Sequence, residues 1–100
     1  MARPDLLTDD ELAAALEGLA GWQVEAGKLR REFHFADFSA AFGFMAASAT
    51  VAEKLDHHPE WSNVYSTVVV ELTTHDAGGL TELDVQLARR MSELAGSVAK

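Results

Sequence analysis

Residues 38–55, FSAAFGFMAASATVAEKL, place apolar side chains on two sides of any helix they form. At 3.6 residues per turn, Phe38, Phe42, Met45, Ala49 and Ala52 fall along one side, while Phe44, Val51 and Leu55, with Ser48, fall along another. The strip between them carries Gly43, Ala46 and Thr50, small enough for a neighbouring helix to approach closely. A helix apolar on two sides needs cover on both, and a chain of 100 residues has few elements to supply it. The expectation is a helix that packs on its own sheet and also on another subunit. Asp37 or Ser39 can cap its start, and it runs to about Asp56, because Pro59 disfavours helical geometry in the residue before it.

The remaining elements follow from shorter patterns. Thr8 with Glu11 has the spacing of a capping box, and Leu12, Leu16 and Leu19 recur at helical intervals until Gly21, predicting a helix over 9–20. Trp22, Val24 and Ala26 alternate with polar residues, Gly27 suits the positive φ of a tight turn, and Leu29, Arg31, Phe33 and Phe35 alternate again, which predicts a hairpin. Beyond Pro59, Trp61 to Tyr65 reads as a short strand and Thr67 to Thr74 as a longer β-branched one, with Ser66 near the turn between them. Gly78 and Gly79 break the chain, Thr81 is a cap, and Leu83, Leu87, Met91 and Leu94 keep a helical stripe towards the end. The order is αββαββα. Hairpins separated by helices predict an α+β single domain over residues 1–100, with a four-stranded, mainly antiparallel sheet and its helices packed on one face.

Composition narrows the chemistry. No cysteine is present, so disulfides, thiolate metal sites and a cysteine nucleophile are excluded. A formal charge of −8 repels phosphate backbones and acidic membrane surfaces, so no direct nucleic-acid partner and no membrane partner is expected. No run approaches the roughly 18 consecutive apolar residues of a span, and no basic leader opens the chain, which together predict a cytoplasmic location. Three of the four histidines lie between Glu53 and Asp84: His57 and His58 where the long helix ends, and His75 where a strand ends. Each is placed to project into a cleft.

The run Glu53-Lys54-Leu55-Asp56-His57-His58-Pro59-Glu60-Trp61, followed by Asn63-Val64-Tyr65, Thr73-Thr74-His75-Asp76, Gly78-Gly79-Leu80-Thr81 and Asp84, resembles the signature of the pterin-4a-carbinolamine dehydratases. The resemblance extends upstream through Gly21-Trp22, Phe33-His34-Phe35, Asp37-Phe38 and Ala41 to Met45, and so covers nearly the whole chain. Departures are mild, with Thr73, Asp76 and Ser66 standing where many relatives have serine, glutamate and asparagine. The resemblance implies an enzyme that dehydrates 4a-hydroxytetrahydrobiopterin, or a related 4a-hydroxytetrahydropterin, to the quinonoid dihydropterin in tetrahydrobiopterin recycling. It also implies subunits that pair through sheets into dimers and through helices into tetramers. Vertebrate members serve as dimerisation cofactor of a homeodomain transcription factor, a role that nothing in this sequence establishes.

Such a dehydration needs an acid and a base that both work near neutrality, and histidine supplies them without a metal or a nicotinamide cofactor. His57 and His75 are assigned as the acid–base pair, with His58 as a positioning and proton-sharing partner. The resemblance makes Asp56 and the Thr73, Thr74 and Asp76 stretch substrate-contacting, with Thr74 bonding the pterin edge, and it makes Asp84 a carboxylate that orients an imidazole or binds the pterin. Glu53, one turn before His57, is expected to hold that ring, and Pro59 and Trp61 support the site as helix terminator and as core residue or cleft wall. Blander roles stand beside these. Asp84 equally suits a first-turn acid that favours the helix dipole, and His34 suits a solvated strand position. A zinc or iron site built on the three histidines with Asp56 or Asp84 is disfavoured, because adjacent residues at a helix end diverge and no HxxxH or HxH pair is present. A protein-interaction or assembly module that keeps the fold without turnover remains the alternative from another class.

Overall fold

The computed structural model describes residues 4–98; residues 1–3, 99 and 100 of the one-domain reading lie outside the described residues. The elements are α1 (Asp9–Glu17), β1 (Gln23–Glu25), β2 (Lys28–His34), α2 (Phe38–Leu55), β3 (Glu60–Val64), β4 (Thr67–Leu72), a single 3₁₀ turn (His75–Ala77) and α3 (Glu82–Val98). All strand pairs are antiparallel, in the spatial order β1-β2-β4-β3. Among the described residues no helix is long and apolar enough to cross a membrane.

Register decides which face of the sheet is covered. Phe33 pairs with Val68, Arg31 with Val70 and Leu29 with Leu72, so the side chains of these residues share one face, and all but the arginine are buried. α2 and α3 pack there. Phe44 from α2 lies against Phe33 and Phe35 with ring centroids 4.7 and 5.0 Å away, and Val85, Leu87, Ala88 and Met91 of α3 complete the core. Truncating Phe44 to alanine costs ~3–5 kcal/mol, the usual size for a buried aromatic ring. Arg31 stays on this face by stacking over Phe33, 4.3 Å from the ring centroid, and by donating to Ser92 Oγ, which also accepts from the indole N–H of Trp22. Burial pushes its guanidinium below the ordinary arginine range.

Local chemistry sets the element ends. Thr8 and Glu11 form the reciprocal capping box at the start of α1. That helix stops at Glu17, short of the expected residue 20, because the Gly18 N–H turns back onto Ala15 and Leu16 and the chain then buries Leu19 and Trp22. Ala26 and Gly27 both take positive φ, the type I′ pattern whose twist matches a two-residue hairpin. Val24 does not point into the core as the alternation suggested; at the outer edge of the sheet it is exposed. β4 ends at Leu72, two residues early, since Thr73 and Thr74 leave the sheet and the Thr74 carbonyl closes a loop by accepting from the N–H groups of Ala77, Gly78 and Gly79.

α2 corrects the two-row reading of its sequence. Its interior row is Ala41, Phe44, Ser48 and Ala52, with Val51 and Leu55 half-buried, so Ala52 belongs with Phe44 and not with Phe38. Phe38 and Phe42 are 50% and 58% exposed, with their rings 6.0 Å apart.

Candidate active site

α2 ends at a left-handed residue, not at the proline. Asp56 takes φ 50° and ψ 44°, its N–H reaches the carbonyls of Ala52 and Glu53, and the His57 N–H bonds the Ala52 carbonyl. This is the six-to-one closure of a Schellman turn, in a conformation that aspartate tolerates better than most residues. The reversal sends the next two side chains apart: His57 is buried and His58 exposed. Pro59 follows and leads into β3.

His57 meets Asp84 across the helix-covered side. Nε2 of His57 lies 2.6 Å from Oδ1 of Asp84, whose side chain is fully buried. The other carboxylate oxygen accepts from the Thr74 hydroxyl at 2.8 Å and from the Thr81 N–H at 2.9 Å. Because a carboxylate only accepts, the single Thr74 proton is spent on Asp84, and the 2.8 Å contact between the two threonine hydroxyls runs from Thr81 to Thr74. Thr81 Oγ1 in turn accepts from the Leu83 N–H, so Thr81 caps α3 while Asp84 reaches back to the Thr81 backbone. Asp84 therefore stands as imidazole partner and first-turn acid at once, and its complete burial sets it away from the third role the sequence allowed, contact with the pterin. Thr74, expected to bond the pterin edge, is instead buried with its hydroxyl committed to this network.

The other two histidines also reach carboxylates through Nε2. His58 Nε2 is 2.9 Å from Glu53 Oε1. Glu53 was expected to hold His57; the turn at Asp56 carries His57 inward and leaves His58 as the ring within reach. His75, in the 3₁₀ turn after β4, places Nε2 2.8 Å from Glu60 Oε2, and the other oxygen of Glu60 is 2.6 Å from Lys28 Nζ. Lys28 and then His75 hold the Glu60 carboxyl below the usual carboxylate range, and the Glu60 contact raises Lys28 above its own. An acceptor on Nε2 obliges that nitrogen to carry hydrogen, so in each neutral ring Nδ1 is the atom that holds the lone pair.

One cleft of about 220 Å³ is lined by Asp56, His57, His58, Thr73, Thr74, His75 and Asp76. The helix end and the strand end thus bring all three rings to one concavity, together with Asp56, Thr73, Thr74 and Asp76 of the residues expected to contact substrate, while Asp84 lies buried outside its lining. A larger, mostly apolar hollow of about 700 Å³ adjoins it at His58 and holds Glu53, Pro59 and Trp61. Trp61 walls that neighbour and packs on the core instead of lining the three-histidine cleft. His34 remains on the solvated side of β2, beside Glu32 and Thr67. Glu60 and Lys28 carried no role in the sequence reading. Glu60 stands inside the histidine-rich run, but Lys28 is 32 residues away and meets it only through the sheet.

With this geometry established, comparison with known proteins decides the lineage. A sequence profile described as pterin 4 alpha carbinolamine dehydratase matches residues 5–94. The chain belongs to the pterin 4 alpha carbinolamine dehydratase family. Within the family, it is 55% identical over 95 residues to a provisionally named pterin-4-alpha-carbinolamine dehydratase of Rhodopseudomonas palustris, covering 93% of this chain and 94% of that protein. It is 54% identical over 98 residues to a similarly named protein of Brucella ovis, covering 96% of this chain and all of that one. A crystal structure from Brucella melitensis, described as a transcriptional coactivator/pterin dehydratase, superposes with a TM-score of 0.88 at 53% identity over 92% of this chain and 100% of that one. A pterin dehydratase-like protein described as a RuBisCO assembly factor in the alpha-carboxysome shares the fold at a TM-score of 0.62 and 25% identity, over 75% of this chain and 87% of that one.

Proposed function

We propose that the protein is a 4a-hydroxytetrahydropterin dehydratase acting by histidine acid–base catalysis. The observation that carries this reading is the convergence of His57, His58 and His75 on one cleft, with each Nε2 held by a carboxylate. In the reaction, the C4a hydroxyl takes a proton and leaves as water while N5 releases its proton, and the C4a–N5 bond becomes double. Of His57 and His75, one enters protonated and gives its Nδ1 proton to the leaving hydroxyl; the other, neutral, accepts the N5 proton at Nδ1. The proton count balances, and exchange with solvent through the exposed His75 resets the pair. His58 positions the substrate, Asp56, Thr73 and Asp76 contact it along the cleft, and Asp84 fixes the tautomer and angle of His57. The natural substrate of this reading is 4a-hydroxytetrahydrobiopterin or a close relative in a recycling sequence.

The exposed pair Phe38 and Phe42 supports a homo-oligomer built through α2, with the sheet edge as a second contact, giving a dimer or tetramer. Light scattering of the protein and of Phe42→Glu tests this: the native chain should exceed monomer mass at micromolar concentration and the variant should fall towards it. A protein-interaction role is favoured by the descriptions of two solved relatives, one a transcriptional coactivator/pterin dehydratase and one a pterin dehydratase-like RuBisCO assembly factor. Against it stands the buried network under His57, which an interaction surface does not need.

The test of the dehydratase reading is turnover of freshly generated 4a-hydroxytetrahydropterin by the wild type, His57→Ala and His75→Ala. Each variant should lose ~10²-fold or more, the usual contribution of a positioned acid or base. Wild-type turnover at the uncatalysed rate, or both variants within about twofold of wild type, would remove the reading.

A further inference from the structure

His75 is held from behind by a pair of charges that no role above accounts for. Glu60 and Glu71 face each other across β3 and β4, and Arg30 of β2 faces Glu71 in turn. These residues therefore occupy the uncovered face of the sheet, opposite the face that carries Trp61 and Val70. From that side, Glu60 spans two partners, with one oxygen 2.6 Å from Lys28 Nζ and the other 2.8 Å from His75 Nε2. His75 has a side chain 77% exposed and sits on a three-residue 3₁₀ turn. Little packing defines its ring, and the Glu60 contact is what orients it. His57, by contrast, is fixed by burial and by Asp84.

We propose that Glu60, anchored by Lys28, is a positioning residue that commits Nε2 of His75 and leaves Nδ1 as the atom through which this ring exchanges a proton with substrate. The inference rests on the dehydratase reading for its functional part, though the tether can be observed without turnover. Lys28 has two effects in it. Its ammonium holds the carboxylate in place, and its positive charge offsets part of the negative charge that Glu60 presents to the imidazole. The other charged or titratable groups around His75 are Asp76 on its own turn and Asp56, His57 and His58 across the cleft, with Glu71 behind Lys28. None of these changes in the experiment.

The test uses Glu60→Gln and Lys28→Met in the full chain, with two readouts. The first is the ring ¹⁵N spectrum of His75, which distinguishes hydrogen on Nε2 from hydrogen on Nδ1. The Nε2-protonated share of the neutral ring should fall in Glu60→Gln towards the mixture of a free imidazole. The second is the pH dependence of kcat/KM, taking the limb that disappears in His75→Ala. Removing the carboxylate makes the imidazolium harder to form, so that limb should move to lower pH in Glu60→Gln. Removing the ammonium while keeping the carboxylate makes it easier to form, so the limb should move to higher pH in Lys28→Met. Each shift should be a few tenths of a pH unit, the size of a partly exposed ion contact. Opposite signs are the signature, because a purely structural role would lower activity in both without separating them. An unchanged tautomer balance in Glu60→Gln overturns the tether itself. A tether seen by NMR with both limbs unmoved overturns its part in catalysis, and absence of wild-type turnover overturns the dehydratase reading while leaving the NMR result to stand.

Discussion

Asp84 Oδ1 lies 2.6 Å from His57 Nε2, joining the first turn of α3 to the residue that follows the C-cap of α2. The remaining oxygen takes two further hydrogen bonds in a fully buried setting, so the carboxylate accepts from three partners. Asp84→Asn replaces one acceptor oxygen by an amide that itself donates, which sets N–H against N–H or O–H. The expected outcome is a loss of about 2 kcal/mol or more in urea unfolding, together with a fall of ~10²-fold in kcat.

Asp56→Gly separates backbone from side chain at the end of α2. Glycine takes the left-handed conformation without a Cβ penalty, so unfolding free energy should stay within about 1 kcal/mol of wild type. KM for the pterin should then rise severalfold as the carboxylate is lost from the cleft, with kcat less affected. Asp56→Val should instead cost about 1–2 kcal/mol, since a β-branched residue is strained in that conformation. Denaturant titration and steady-state kinetics on the two variants read these effects.

The Lys28–Glu60 contact gives a pH-dependent share of stability whose sign is fixed. Glu60 has a folded pKa below its ordinary value of 4.5, so its contribution is present above that value and is lost as pH falls through the lower, folded one. Lys28 is raised above 10.5, so its contribution is present below that value and is lost as pH rises through the higher, folded one. Lys28→Met should therefore melt below wild type at neutral pH, and the gap in Tm should close as the solution is acidified past the carboxylate range. Thermal melts at several pH values check it.

Ser48 offers a gain. Its hydroxyl is buried on the inner row of α2 with no hydrogen-bond partner among the described residues. Ser48→Ala removes a desolvated polar atom and improves helix propensity, so stability should rise by about 1 kcal/mol, or roughly 4–8 °C in Tm for a domain of this size.

What the sequence disclosed, and what it withheld, divides by range. The capping box of Thr8 and Glu11, the Asp37 cap of α2, the two hairpins and the antiparallel helix-covered sheet rest on patterns within a few residues, and they stand in the structure as expected. The meeting of His57, His58 and His75 was legible through the helix end and strand end that carry them. The partners of those rings were not. Which histidine Glu53 reaches depends on the left-handed turn at Asp56, where no glycine announces it, and the engagement of Thr74 depends on α3 arriving from across the loop. Lys28 finds Glu60 only after β2, β4 and β3 have aligned, a relation that local spacing does not encode. Phe42 and Ala52 were placed on one row by their spacing, yet packing buries the alanine and leaves the phenylalanine in solvent.

The carboxylate under His57 has a consequence for how such a chain can change over generations. Because the same two oxygens secure a helix start and hold the His57 ring, a substitution there that hardens the scaffold also moves that ring. Selection for heat tolerance must find its improvements elsewhere, at positions such as Ser48, which does not line the three-histidine cleft.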